Sequence, residues 1–438
     1  MFTRRKKTAA AATAAVATFG LALTGCAGGS APAADTAPTY DPDEKVTLDF
    51  AFWGNDVRAE LYDEVLDAFH EEYPNITVNT SFLGFPEYWE KRQTEAAGGG
   101  LPDVMQTDIN YLRQYAENGL FLDLTPYLGS LIDTEPLPDN VLQIGQIDGA
   151  TTGITISTNA WSMYQNSVLL DEIGVEPFEE GDWQDYNDWM AEVTDAAKAK
   201  GVDVWGGADY TGRIQSFEIQ QRAKGKDLFT DDGEVNFTKD ELRAYWESGH
   251  ELRDGIAIPQ QRLEETMPMT GFDTAQQTSE MTWDSFGVSY LANLGEPYTE
   301  LEITAPPVTK KGAQDLYKKA GMLLSASAGT DHPEAAAILI DFLVNDPVTG
   351  EVFGTNRGFP ASETAMSGAS LDGINQQIAD YEESIADRLG DAPPVPVTGY
   401  GTIEDKFRQI GIELNFGTIT VDEAVDQFFT EMDVVLNQ

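Results

Sequence analysis

The sequence predicts an α/β protein built from two α/β regions, and three observations carry that prediction. Apolar residues recur at strand spacing and then at helix spacing, in alternation, early in the chain and again after Gly149. The length of 438 residues exceeds one hydrophobic core and fits about two domains. With 41% hydrophobic and 10% aromatic residues, the chain can fill cores of that size. Strands alternating with helices imply a largely parallel sheet.

An N-terminal segment precedes both regions. Arg4, Arg5, Lys6 and Lys7 make a basic stretch, and residues 8–23 are apolar and Ala-rich, the layout of a secretory signal. The run ends in Leu23-Thr24-Gly25-Cys26. Small residues before the single cysteine of the chain resemble a bacterial lipobox, in which the thiol of Cys26 takes a diacylglycerol and becomes the first residue of the exported chain. The alternative is an ordinary signal peptide that contains a cysteine. Lys6 and Lys7 replace the apolar residues expected after a twin-arginine pair, so Sec export is expected. Residues 27–38 are small, polar and Pro-bearing, which reads as a tether. No later stretch reaches the roughly 18 consecutive apolar residues of a membrane span.

The body opens with Val46-Thr47-Leu48-Asp49-Phe50-Ala51-Phe52-Trp53, which alternates like a strand. Gly54 breaks it, and Asn55 or Asp56 can cap the helix that follows. Leu61, Val65, Leu66 and Phe69 carry helical spacing, and Ile76 and Val78 begin a second strand. Residues 88–97 read as a helix stopped by Gly98-Gly99-Gly100. Residues 101–106 read as a strand, and 109–118 as a helix stopped by Gly119. In the second region Ile154 and Ile156 alternate in a strand, and residues 167–173 and 183–200 are helical. Asp231-Asp232-Gly233 is a turn. Thr238-Lys239-Asp240-Glu241 and Thr420-Val421-Asp422-Glu423 are capping boxes that open helices. Residues 333–345 form an apolar helix with Pro333 at its start.

Charge and chemistry exclude several functions. There are 27 Lys and Arg against 74 Asp and Glu, a net charge of −47. Loss of residues 1–25 removes four cations and no acids, which makes it −51. Nucleic-acid binding and docking on anionic lipid both need a basic surface. One cysteine excludes an internal disulfide framework and a paired CxxC zinc site. The histidines, His70, His250 and His332, have no metal-site spacing, and no GxSxG or phosphate-loop motif occurs. No motif speaks for a metal or an organic cofactor. A glycosidase needs only two carboxylates about 5–10 Å apart, so that reading stays open among 74 acids.

The aromatic residues are more informative. Sugar rings have apolar C–H faces that stack on Trp and Tyr, while their hydroxyls need polar partners. Ligand sites of α/β domains lie where strands end. Trp53 stands at such an end beside Asn55 and Asp56, and Trp283 stands at another beside Asp284. Phe85, Tyr88 and Trp89 cluster after the second strand, and core packing is the alternative role for each aromatic.

A set of fragments, in this order, resembles one family. They include Leu48-Asp49-Phe50-Ala51-Phe52-Trp53-Gly54, Phe69-His70-Glu71-Glu72-Tyr73-Pro74-Asn75-Ile76, Ala96-Ala97-Gly98-Gly99-Gly100-Leu101-Pro102-Asp103-Val104 and Gly119-Leu120-Phe121-Leu122-Asp123-Leu124. Gly153-Ile154-Thr155-Ile156, Glu280-Met281-Thr282-Trp283, Asp331-His332-Pro333-Glu334-Ala335-Ala336 and Arg357-Gly358-Phe359-Pro360 follow. Together, behind a lipobox, they resemble the extracellular solute-binding lipoproteins of carbohydrate ABC transporters, in the maltose-binding-like group (family 1). The resemblance implies a two-lobed, periplasmic-binding-protein-like (type II) α/β fold with a hinge and a ligand cleft between the lobes. It implies a signal peptide over 1–25 and a tether over 26–44. The N-terminal lobe would take 45–150 with 300–347, and the C-terminal lobe 151–299 with 348–438. Crossings are expected near 149–158, 294–307 and 345–360.

The implied function is capture of a saccharide, expected to be an oligosaccharide, and delivery to a membrane permease by a lipid-anchored monomer that is not an enzyme. Trp53, Asn55 and Asp56 match the family's loop after the first strand, Asp108 the position after the third, and Asn159 the entry to the second lobe. Trp283 matches an aromatic after a late strand, and Arg357 lies by the third crossing. With Phe85, Tyr88 and Asp284 these make the candidate ligand set. The sequence departs from the family where Gly153-Ile154-Thr155-Ile156 lacks a Pro-Tyr pair. An extracellular glycan hydrolase, a binder of a peptide or polyamine, and a surface interaction protein are the other readings.

Overall fold

The structure is a computed structural model, and it describes residues 38–437 apart from Asn55 and Pro268. The expectations for the signal segment, Cys26 and Asn55 therefore lie outside the described residues.

The first elements follow the sequence closely. β1 (Val46–Trp53) alternates buried and exposed residues at its start and is buried on both faces from Phe50 to Phe52. α1 (Asp56–Glu72) turns Tyr62, Val65, Leu66 and Phe69 inward at positions i, i+3, i+4 and i+7. β2 (Ile76–Leu83) lies parallel to β1 along its whole length, from Val46 opposite Ile76 to Trp53 opposite Leu83. α2 (Phe85–Gly98) ends at Gly99, whose φ of 71° is the left-handed conformation that glycine takes without a Cβ penalty. β3 (Val104–Thr107) pairs in parallel with β1. α3 (Ile109–Glu117) is capped by Asp108, whose carboxylate accepts from the Asn110 amide at 2.9 Å. A short helix α4 (Asp139–Leu142) and a small hairpin of β4 (Gln146–Ile147) and β5 (Ala150–Thr151) lead onward.

β6 (Ile154–Asn166) is thirteen residues long and buried except at Asn159. Its first half pairs antiparallel with β9 (Lys318–Ala326), with register shifts around Ser157. Its second half pairs antiparallel with β7 (Ser279–Trp283) and β8 (Leu301–Thr304). β10 (Phe359–Pro360) adds to its start. The sheet order is β10-β6-β9-β3-β1-β2, with β7 and β8 on β6. The expected largely parallel sheet is corrected here: only the β1–β2 and β1–β3 pairings are parallel. β9 reaches β3 after the chain has built its second region, so it enters from the opposite end and runs antiparallel. Gly321 lets β9 close on β6, because a Cβ there would stand 2.7 Å from the Ser157 hydroxyl.

The middle helices are α5 (Ser167–Ile173), α6 (Trp183–Lys200), α7 (Ile214–Arg222), α8 (Lys239–Ser248), α9 (Gln260–Thr266) and α10 (Gly287–Leu294). Both expected capping boxes form, at Thr238 and Thr420. After β9 come α11 (Pro333–Asn345), α12 (Pro347–Phe353), α13 (Glu363–Gly368), α14 (Gly373–Ser384), α15 (Tyr400–Asn415) and α16 (Val421–Leu436).

The hydrophobic interior divides along β6. One core gathers β1–β3, α1, α11 and the start of β6, and includes Ala320, Phe353, Ala361 and Val395. A second takes the end of β6 with α5, α6, Leu316, Tyr317 and Tyr381. A third packs α7 and α8 against α15 and α16. Burying one Leu, Ile or Phe side chain contributes about 1.5–3 kcal/mol, so α11, with Leu339, Ile340 and Leu343 fully buried, anchors the first core.

Candidate functional site

A cleft of about 710 Å³, counting its open mouth, lies where the cores meet. One wall is Ile109 and Asn110 at the start of α3, with Ile144 and Ala320 of the first core. The other is Gln215 and Glu218 of α7, Trp283, Tyr317, and Tyr400 and Glu404 of α15. The segment Ala392-Pro393-Pro394-Val395-Pro396 closes one side. Three prolines hold it extended without internal hydrogen bonds, and Arg113 fixes it by donating to the Val395 carbonyl at 2.9 Å.

Trp283 is half-buried at the end of β7. Its ring meets Trp161 edge-on at 5.1 Å and Tyr317 at 6.1 Å, and the Lys319 ammonium lies 5.1 Å from its centre. These contacts fix the indole on the cleft wall. Glu218, on the same wall, is buried and accepts a hydrogen bond from the Tyr317 hydroxyl. Burial pushes the Glu218 carboxyl up to about 7, against the opposing effects of that hydrogen bond and of Arg222. Arg222 pairs with Asp227 and stacks 5.0 Å over Tyr317. Glu404 accepts from the Gln215 amide at 2.6 Å. The cleft thus offers an aromatic ring, an amide and carboxylate oxygens, with apolar patches between them. Among the described residues no group of three or more His, Cys, Asp or Glu is placed to hold a metal ion.

Residues 64–374 match the family described as bacterial extracellular solute-binding protein. The chain belongs to that family. An extracellular solute-binding protein family 1 member from Alicyclobacillus acidocaldarius is 26% identical, with a TM-score of 0.74, over 90% of this chain and 100% of that one. A periplasmic oligogalacturonide-binding protein from Yersinia enterocolitica shares the fold at 22% identity and a TM-score of 0.75, over 89% of this chain and 99% of that one. So does an ABC substrate-binding protein from Listeria monocytogenes in complex with cycloalternan, at 22% identity and 0.67, over 89% and 98%. A designed cysteine esterase also shares the fold at 21% identity and 0.77, over 90% and 98%, yet the single cysteine of this solute-binding protein, Cys26, lies outside the described residues. A Brucella abortus protein named only as a binding protein is 27% identical over 164 residues, 36% of each chain. The match thus spans about a third of that relative. The fold is the two-lobed α/β fold of these binding proteins. No helix among the described residues is long and apolar enough to cross a membrane.

The predicted ligand residues of this solute-binding protein lie in different surroundings. Trp283 lines the cleft. Trp53 ends β1, and Phe85 and Asp108 come just after β2 and β3, so the three share one end of the parallel strands, and Asp108 directly precedes the cleft residues Ile109 and Asn110. Trp53 packs edge-on against Phe85 at 5.4 Å, and Phe85 is exposed. Asp56 is exposed at the start of α1. Asn159, on β6 opposite Lys319 of β9, has a buried side-chain oxygen without a hydrogen-bond partner among the described residues.

The remaining three are buried. Tyr88 is 1% exposed and donates to the Gln106 carbonyl at 2.7 Å, which ties α2 to β3. Arg357 stacks 4.0 Å over Phe353 in the first core, and burial lowers its pKa. Asp284 accepts from the Ala160 amide at 2.9 Å, and its carbonyl accepts the Tyr164 hydroxyl. Burial, and then Glu382, hold its carboxyl well above the usual range, while Lys318 acts in the other direction. Asp284 thereby joins β6 to the turn after β7, beneath Trp283.

Gln215, Glu218, Tyr317, Lys319 and Glu404 also line the cleft and stand outside the set predicted from the sequence. One signal was present: the segment Ile214–Arg222 carries polar residues on every face, and Gln215, Ser216, Glu218 and Gln221 are all buried.

Proposed function

We propose that the chain is the sugar-binding component of an ABC importer, held by lipid at Cys26 on the outer face of the membrane. The observation that carries this reading is the cleft itself. Trp283 supplies a surface for the apolar face of a sugar ring, and Gln215, Glu218, Glu404 and Asn110 supply hydroxyl partners around it. The solved neighbours named for oligogalacturonide and cycloalternan support a saccharide as the solute. So does the Streptomyces glaucescens receptor solved with acarbose, at 17% identity and a TM-score of 0.66.

The mechanism follows from two walls on two cores. A ligand that touches both walls gains its full set of contacts only when they approach, so binding shifts the protein toward the closed form. β6 and β9 pass between the cores, and the register shifts near Ser157 give a place for the bend. We place the lobes by their cores, with changes near residues 158, 318 and 362 in place of 150, 300 and 348; Leu301 and Tyr317 pack with second-region residues, Phe353 and Ala361 with the first, and Val395 reaches back onto the first from the last segment. The closed form then docks, as a monomer, on the permease. The protein holds its sugar and breaks no bond in it.

Isothermal calorimetry against mono- and oligosaccharides, peptides and polyamines tests the reading. A saccharide binds and the others do not. Binding of a peptide or polyamine with no response to any sugar would sink it.

A further inference from the structure

The charge of the cleft narrows the ligand class, on the premise that its solute is a sugar. We propose that the cleft accepts saccharides without acidic groups and turns away uronates of equal size. Glu218, Asp227 and Glu404 line it. Lys318 and Lys319 line it too, and they and the neighbouring Arg222 are engaged by the protein. Lys318 donates to Glu382 at 2.7 Å, Arg222 pairs with Asp227 and donates to the Asp391 carbonyl, and Lys319 lies over the Trp283 ring. Glu218 and Glu404 take hydrogen bonds from neutral donors, the Tyr317 hydroxyl and the Gln215 amide.

A neutral sugar meets this wall well. Its hydroxyls donate to carboxylate oxygens, and such charge-assisted bonds are stronger than neutral ones. A uronate carboxylate has no proton to give at neutral pH. It would stand against two carboxyls in a site of low dielectric. The net charge of −47 slows the approach of any anion as well. The oligogalacturonide-binding neighbour shares the fold, and fold alone does not fix the charge of the ligand.

The test uses calorimetry on the intact protein with matched neutral and uronic trisaccharides of gluco, manno and galacto configuration. Some neutral trisaccharide binds, and its uronic counterpart binds about tenfold or more weakly. Raising salt strengthens the residual uronate binding by screening repulsion and leaves neutral binding unchanged. Glu218→Gln combined with Glu404→Gln narrows the gap, with a melting curve to establish that the variant folds. Equal or tighter uronate binding, or uronate binding that weakens as salt rises, overturns the proposal and leaves the carbohydrate reading standing. Binding of no saccharide at all overturns both.

Discussion

The Glu218 carboxyl gives a prediction whose size comes from the structure. It is buried, and its pKa rises on folding from the ordinary 4.5 to about 7. Such a group binds its proton more tightly in the folded state, so its contribution favours folding at low pH and is lost as pH rises from 4.5 through 7. Each tenfold change in proton affinity is worth about 1.4 kcal/mol. The full cost above pH 7 is therefore about 3 kcal/mol. Glu218→Gln keeps a carbonyl that can accept the Tyr317 hydroxyl and removes the ionisation. The variant should exceed the parent in stability by up to about 3 kcal/mol at pH 8 and by less than about 1 kcal/mol at pH 5. Urea unfolding of ligand-free protein at several pH values measures the difference. Parent and variant curves that run parallel from pH 5 to 8 would refute the reasoning, because the carboxyl would then be no harder to ionise in the fold than out of it.

Three further outcomes are expected. Trp283→Ala should weaken sugar binding by about three- to tenfold in calorimetry, since a stacked aromatic is worth roughly 0.5–1.5 kcal/mol beyond its area. Unchanged affinity would move the site off this wall. Leu339→Ala in α11, at a fully buried position, should cost about 2–5 kcal/mol in urea unfolding through the cavity it leaves; a smaller loss would mean that the first core collapses around the gap. Cys26→Ser should release the protein from membranes into the medium, with loss of label from radioactive fatty acid. Retention of the variant on membranes would count against the lipid anchor.

The sequence was most legible where local rules act alone. Helix α6 opens and closes where Asp182 caps it and Gly201 stops it, and α11 and α16 keep their expected bounds because Pro333 and the Thr420 box start them. β9 was opaque for the opposite reason. Lys318-Lys319-Ala320-Gly321 has little strand character, and its place is set by β3 and β6, both more than 150 residues earlier. The site divides in the same way. Trp283 was readable from a strand end with polar neighbours. Glu218 and Glu404 lie on helices that meet only through tertiary packing; the polar run of Ile214–Arg222 marks the helix that holds Glu218, and no such pattern marks Glu404. Tyr88 and Asp284 read in the sequence like ligand residues because polar groups that cap, tie or cross-link a core have the same composition as groups that bind a ligand.

The central claim is that the cleft beside Trp283 holds a saccharide. Native mass spectrometry of the protein purified gently from its own host, beside the Trp283→Ala variant, tests it most directly. The parent should carry an adduct whose mass and fragmentation identify a saccharide, and the variant should clearly lose it. An adduct that fragments to amino acids or a polyamine, or a saccharide retained undiminished by Trp283→Ala, would contradict it.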